Sequence, residues 1–148
     1  MIYLLLISAL VIIAGLAFYA GSLLFKLKAQ TLQKEKTTQK RVENIVESIQ
    51  TIALAIEQQQ CNLSEGCIRL THLLECLPIA DKPDFKAQYP GLYELYAAVE
   101  HLPTHEKRKA QSKQETWKQD LFREEIEAKL SSKIMAEVSS LSKFTLKS

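Results

Sequence analysis

From residue 26 to residue 148 the chain has only two glycines, Gly66 and Gly91. Sandwiches and barrels turn on glycine at short intervals, so an all-β fold is disfavoured. Neither G-x-G-x-x-G nor G-x-x-x-x-G-K-[S/T] occurs, so a Gly-rich phosphate cradle is excluded. The nucleophile elbow of the α/β hydrolases also needs glycines that are missing. Charge is missing in one place only: residues 2–25 hold none, and residues 26–148 hold all of it. The 148 residues, with a net charge of +2, leave room for one ordinary domain.

What stands at the start is an uncharged, mostly apolar run, IYLLLISALVIIAGLAFYAGSLLF, at residues 2–25. As a helix it measures about 36 Å, enough to cross a hydrocarbon core of about 30 Å with some tilt. Tyr3 lies near one end, and Tyr19 and Phe25 near the other, as interfacial rings do. Lys26, Lys28, Lys34, Lys36, Lys40 and Arg41 follow it. The positive-inside rule then puts the N-terminus outside and residues 26–148 in the cytoplasm, with the chain crossing the inner membrane once. A cleaved signal peptide is the competing reading, and Ala20-Gly21-Ser22 offers small residues for it. Against it, no Lys or Arg precedes the run, which also exceeds the ~7–15 residues of a normal signal core. Ala14, Ala17 and Gly21 share one helical face, and Ala17-x-x-x-Gly21 is a small-xxx-small pair that permits a homodimer.

Behind the membrane segment the charge alternates by region. Residues 26–41 carry +5, residues 42–100 carry −6, residues 101–118 carry +3, and residues 119–148 balance. Residues 26–41 lack Pro and Gly and continue the helix as a basic stalk. Val42, Ile45, Ile49, Ile52 and Ile56 then recur at three- and four-residue spacings, the stripe of an amphipathic helix. Two heptads are too few for a coiled coil, so a bundle helix is favoured. Asn62-Leu-Ser-Glu65 fits a capping box, with Asn62 taking a backbone N–H and Glu65 reaching back. Cys67, Leu70, Leu74 and Leu77 form the next stripe, which Pro78 stops. Residues 78–90, with three of the four prolines, read as a loop. A short helix from Pro90 or Gly91 to His101 follows, broken at Pro103. Thr104 and Glu106 then suit the start of a helix predicted to run from His105 to Leu141, about 55 Å. That length exceeds a small globule, so this helix either projects or folds back. The expectation is an all-α chain: a transmembrane helix at 2–25, a stalk at 26–41, a bundle at 42–103, and a long charged helix and tail at 104–148.

No constellation stands out as chemistry. Cys61, Cys67, Cys76 and His72 invite a zinc reading, but Cys67 and Cys76 fall on opposite helix faces and no C-x-x-C occurs. Three reduced thiols in a cytoplasmic domain explain them better. His101 and His105 flank Pro103, which removes the helix that an i,i+4 metal pair needs. No metal and no cofactor are expected, and an enzyme is disfavoured. Lys107-Arg108-Lys109, with Lys113, places positive charge in the predicted first turns of a helix, where the dipole opposes it. With Lys26 and Lys28 these bases suit anionic lipid or a protein partner, whereas nucleic acid is disfavoured by the small net charge. Phe85, Tyr89, Tyr93 and Tyr96 are either core fillers or an aromatic groove for a partner segment.

AGLAFYAG, TIALAIEQQQCNLSEGCIRL and LPTHEKRKAQSK, followed by a charged helix ending at Leu141 to Phe144, give the chain a resemblance across nearly its whole length. It resembles a family of small, single-pass bacterial membrane proteins, domain of unknown function family 2489. The resemblance implies an architecture and no activity. The expected function is a membrane-anchored helical scaffold or adaptor that binds a protein partner. The alternatives are a module that contacts anionic lipid or nucleic acid through the basic hinge and, less favoured, a metal or thiol enzyme.

Overall fold

The computed structural model describes residues 1–103 and 108–146. The described residues form helices and no strand, as the all-α expectation required. The helices are α1 (Ile2–Glu57), α2 (Leu63–Glu75), α3 (Phe85–Gln88), α4 (Pro90–Val99) and α5 (Lys113–Leu141). They divide into two compact units, Met1–Arg41 and Val42–Ser148.

The first unit is the opening stretch of α1. Its most apolar window buries nothing against protein, and Leu4, Leu10, Phe18 and Phe25 stand exposed. By length and composition it is a candidate membrane span. Ser22 donates its hydroxyl to the Tyr19 carbonyl (2.8 Å), so its own helix satisfies this polar group.

The second unit closes a core of its own. The end of α1 supplies Ile49, Ala53 and Ile56, with Val42, Ile45 and Ile52 packed at the margin, which makes this stretch a bundle helix. Leu70 and Leu74 of α2, Leu92 and Leu95 of α4, and Ile134, Val138 and Leu141 of α5 complete the interior. The α1 helix ends in a left-handed residue, Gln59 (φ 57°), with Gln60 N donating to Ala55 O and Gln59 N to Ile56 O. Those two bonds are the paired closure of a Schellman cap, made here without glycine. Close approach of α2 to α1 depends on Gly66, where an added Cβ would lie 2.5 Å from Ile56 Cδ1.

Three expectations need correction. The long helix starts at Lys113 and not at His105. Ser112 and Glu115 cap it reciprocally, and a turn from Arg108 to Gln111 separates it from the preceding residues. Thr104, His105, Glu106 and Lys107 lie outside the described residues. Asn62 caps α2 by accepting from Ser64 N (3.0 Å), but Glu65 turns away to Arg69 (2.6 Å). The 78–90 loop contains one helical turn, α3, capped by Asp84 accepting from Ala87 N. Of the two options for the long helix, its second half folds into the bundle. Beyond it, the Phe144 carbonyl accepts from Gln50 Nε2 (2.8 Å), fastening the tail to α1.

Candidate functional site

Two acidic side chains of α5 each close the start of another helix. Glu137 accepts from Gly91 N through one oxygen and from Leu92 N through the other, both at 2.8 Å. The α4 helix opens on Pro90 and has no side-chain cap of its own, so these N–H groups lack an internal acceptor. Glu127 likewise accepts from Ser64 N (3.2 Å) and from the Ser64 hydroxyl at the start of α2. Negative charge at a helix N-terminus is favourable, and hydrogen bonds to a carboxylate are the stronger kind. Lys133 and Glu94 add an exposed pair (3.3 Å) between α5 and α4. Burial first, then Glu127 and Glu137, push the Cys67 thiol up to about 12, which leaves it neutral and inert.

Beside the start of α2 lies a cleft of about 510 Å³. Arg69 of α2, Arg108 from the turn before α5 and Arg123 of α5 line it, over a floor that includes Ile68, Val99 and Leu102. Asp120 binds Arg108 through both oxygens (2.8 Å each) and also Arg123 (3.3 Å). A second cavity, of about 630 Å³, lies between the 78–90 loop and the C-terminal tail, with Phe85, Tyr89 and Phe144 in its wall.

Residues 13–141 match the family model described as a protein of unknown function, DUF2489. The chain belongs to the DUF2489 family. It is 39% identical over 140 residues to an uncharacterized protein of Haemophilus influenzae, a match covering 93% of this chain and 91% of that one. No solved structure matches.

Within this DUF2489 chain the residues singled out from sequence are dispersed. Phe85 and Tyr89 are buried, with Phe85 edge-on to Phe144 at 6.2 Å. Tyr93 and Tyr96 are half-buried on α4. The Tyr93 hydroxyl donates to Glu75 (2.7 Å), and burial together with that carboxylate raises its pKa. The Tyr96 ring meets His72 edge-on at 5.6 Å. The four aromatics therefore do not form one exposed groove, because α3 turns Phe85 and Tyr89 inward. Ala14, Ala17 and Gly21 lie exposed along α1, as do Lys26 and Lys28.

The basic hinge is also reduced. Lys107 lies outside the described residues, and Arg108 is committed to Asp120. Lys109 and Lys113 remain exposed, one before the Ser112 cap and one just after it. Arg108 and Lys109 thus precede α5, whereas Lys113 stands in its first turn, where the dipole opposes positive charge. Cys61 is half-buried, Cys67 buried and Cys76 exposed. Among the described residues no group of three or more His, Cys, Asp or Glu is placed to hold a metal. Sequence reasoning missed Glu127, Glu137 and the arginine cleft. Only the spacing of Glu127, Leu130, Ile134 and Glu137 on one helical face signalled that the two acids point toward the core.

Proposed function

We propose that this protein is a membrane-anchored helical module that binds a protein partner through the first half of α5. In this reading residues 2–25 are the anchor, the N-terminus lies outside, and the bundle works in the cytoplasm by binding and not by turnover. The observation that carries it is the division of α5. Its second half is core, whereas its first half exposes Trp117 (62%), Leu121 (44%) and Phe122 (46%). A helix that long is not needed to close this core, and three large apolar side chains in water favour an occupant. Charges of both signs surround them, Lys113 and Lys118 with Glu115, Glu124 and Glu125. That mixture suits an amphipathic helix of a partner protein better than a uniformly anionic bilayer.

The test is a photo-cross-linking residue placed at Trp117 or Leu121 of the full chain in intact membranes. A discrete adduct at both positions, lost on Phe122→Glu and not formed from the exposed Lys86 position, supports the proposal. No adduct, or equal adducts from the Lys86 control, contradicts it.

A further inference from the structure

Only four of the nineteen basic residues are arginine: Arg41, Arg69, Arg108 and Arg123. Three of the four line the same cleft, and no described lysine does. General solubility needs charge and is indifferent to which cation supplies it. Selecting the planar, five-donor guanidinium three times in one place points to recognition of an oxyanion.

We propose that this cleft binds a small organic phosphate, a phosphate monoester carrying an apolar group. Three features specify the class. Arg108 and Arg123 share one carboxylate, Asp120, so among these three groups one positive charge is left over, and Glu65, which also lines the cleft, is the carboxylate an incoming anion would displace from Arg69. Among the described residues Arg69 pairs only with Glu65, and both side chains are more than half exposed (60% and 58%). Such a surface pair is weakly held, and an incoming anion can displace it. The donors left on three guanidiniums exceed what one carboxylate's two oxygens can use, and the three terminal oxygens of a phosphate monoester match them better. The floor of Ile68, Val99, Leu102 and Pro103 then covers an apolar body, and about 510 Å³ lies within the range of small-ligand sites. Asn62 and Ser64 also line the cleft, where Asn62 Oδ1 accepts from the α2 N-terminus and the Ser64 hydroxyl is held by Glu127.

The experiment is calorimetric titration of the full chain, in uncharged detergent at fixed ionic strength, with phenyl phosphate, inorganic phosphate and benzyl alcohol. One saturable site for phenyl phosphate is expected, tighter than for inorganic phosphate, with no heat from the alcohol. Arg69→Gln removes an exposed cation and Arg123→Lys keeps the charge while removing the fork. Each is expected to weaken phenyl phosphate roughly tenfold or more, while Lys86→Gln leaves it unchanged. Lack of saturation, retention of affinity in Arg69→Gln, or an equal loss in Lys86→Gln overturns the proposal. If Arg123→Lys disturbs folding by circular dichroism, Arg69→Gln alone decides.

Discussion

Replacing Glu137 by alanine removes the acceptor that α5 offers to Gly91 N and Leu92 N. Both residues are buried, so water reaches the freed N–H groups poorly. A lost hydrogen bond to a charged group costs about 1.5–3 kcal/mol, and a lost N-cap about 0.5–2 kcal/mol. The two bonds share one carboxylate that is only half-buried, so their costs do not simply add. The expected loss is roughly 2–3 kcal/mol, equivalent to a fall in Tm of roughly 8–12 °C for a unit of this size. Glu137→Gln keeps the shape and one acceptor oxygen, and should cost roughly 1 kcal/mol. Glu124→Ala, on the exposed side of α5, should cost almost nothing and serves as the control. The assay is thermal unfolding of the full chain in mild detergent, followed by circular dichroism. A Glu137→Ala protein melting within about 2 °C of the parent would refute the clamp, because that shift corresponds to only a few tenths of a kcal/mol.

Gly66→Ala drives a methyl group to 2.5 Å from Ile56 Cδ1 and should cost roughly 1–2 kcal/mol after the gain in helix propensity. Ile56→Ala removes both that Cδ1 and the Cγ1 at 2.6 Å, so the double variant should lose less than the sum of the two single losses in a denaturant-melt cycle. Gln59→Gly relieves a left-handed residue and should raise stability by up to about 1 kcal/mol, with no gain if the Schellman turn is absent. Cys67 ionises near its ordinary value of 9.0 when unfolded but only near about 12 when folded. Between those values the unfolded chain has lost a proton that the folded chain keeps, so stability falls as pH rises. The limiting slope between those values is about 1.4 kcal/mol per pH unit, and below pH 9 the full stability is retained. Chemical melts between pH 8 and 10 should show the decline and its flattening in Cys67→Ser; equal slopes would place the thiol outside the core.

Local periodicity made most of the architecture readable. The isoleucines at 45, 49, 52 and 56 repeat at helical spacing, and burial then selects Ile49 and Ile56 as their innermost members. Asn62 and Pro78 mark boundaries because capping and the missing proline N–H act within a few residues. The start of α5 is equally local, written as Ser112-x-x-Glu115, but no Pro or Gly announces it. Glu65 had the right spacing for a box, yet an Arg one turn ahead competes for it. Glu127 and Glu137 were illegible as caps, since their acceptor role depends on N–H groups 63 and 46 residues away. Arg69, Arg108 and Arg123 sit on separate segments, and only tertiary packing makes them neighbours.

The central proposal is that lipid is the solvent of residues 2–25, the candidate membrane span, while Val42–Ser148 folds around its own core. Alkaline carbonate extraction of membranes, read out by intact mass of the recovered polypeptide, tests it most directly. The account predicts that the chain stays in the membrane pellet with Met1 or Ile2 as its first residue. A polypeptide released to the detergent-free supernatant, or one cut near Ala20, would contradict it.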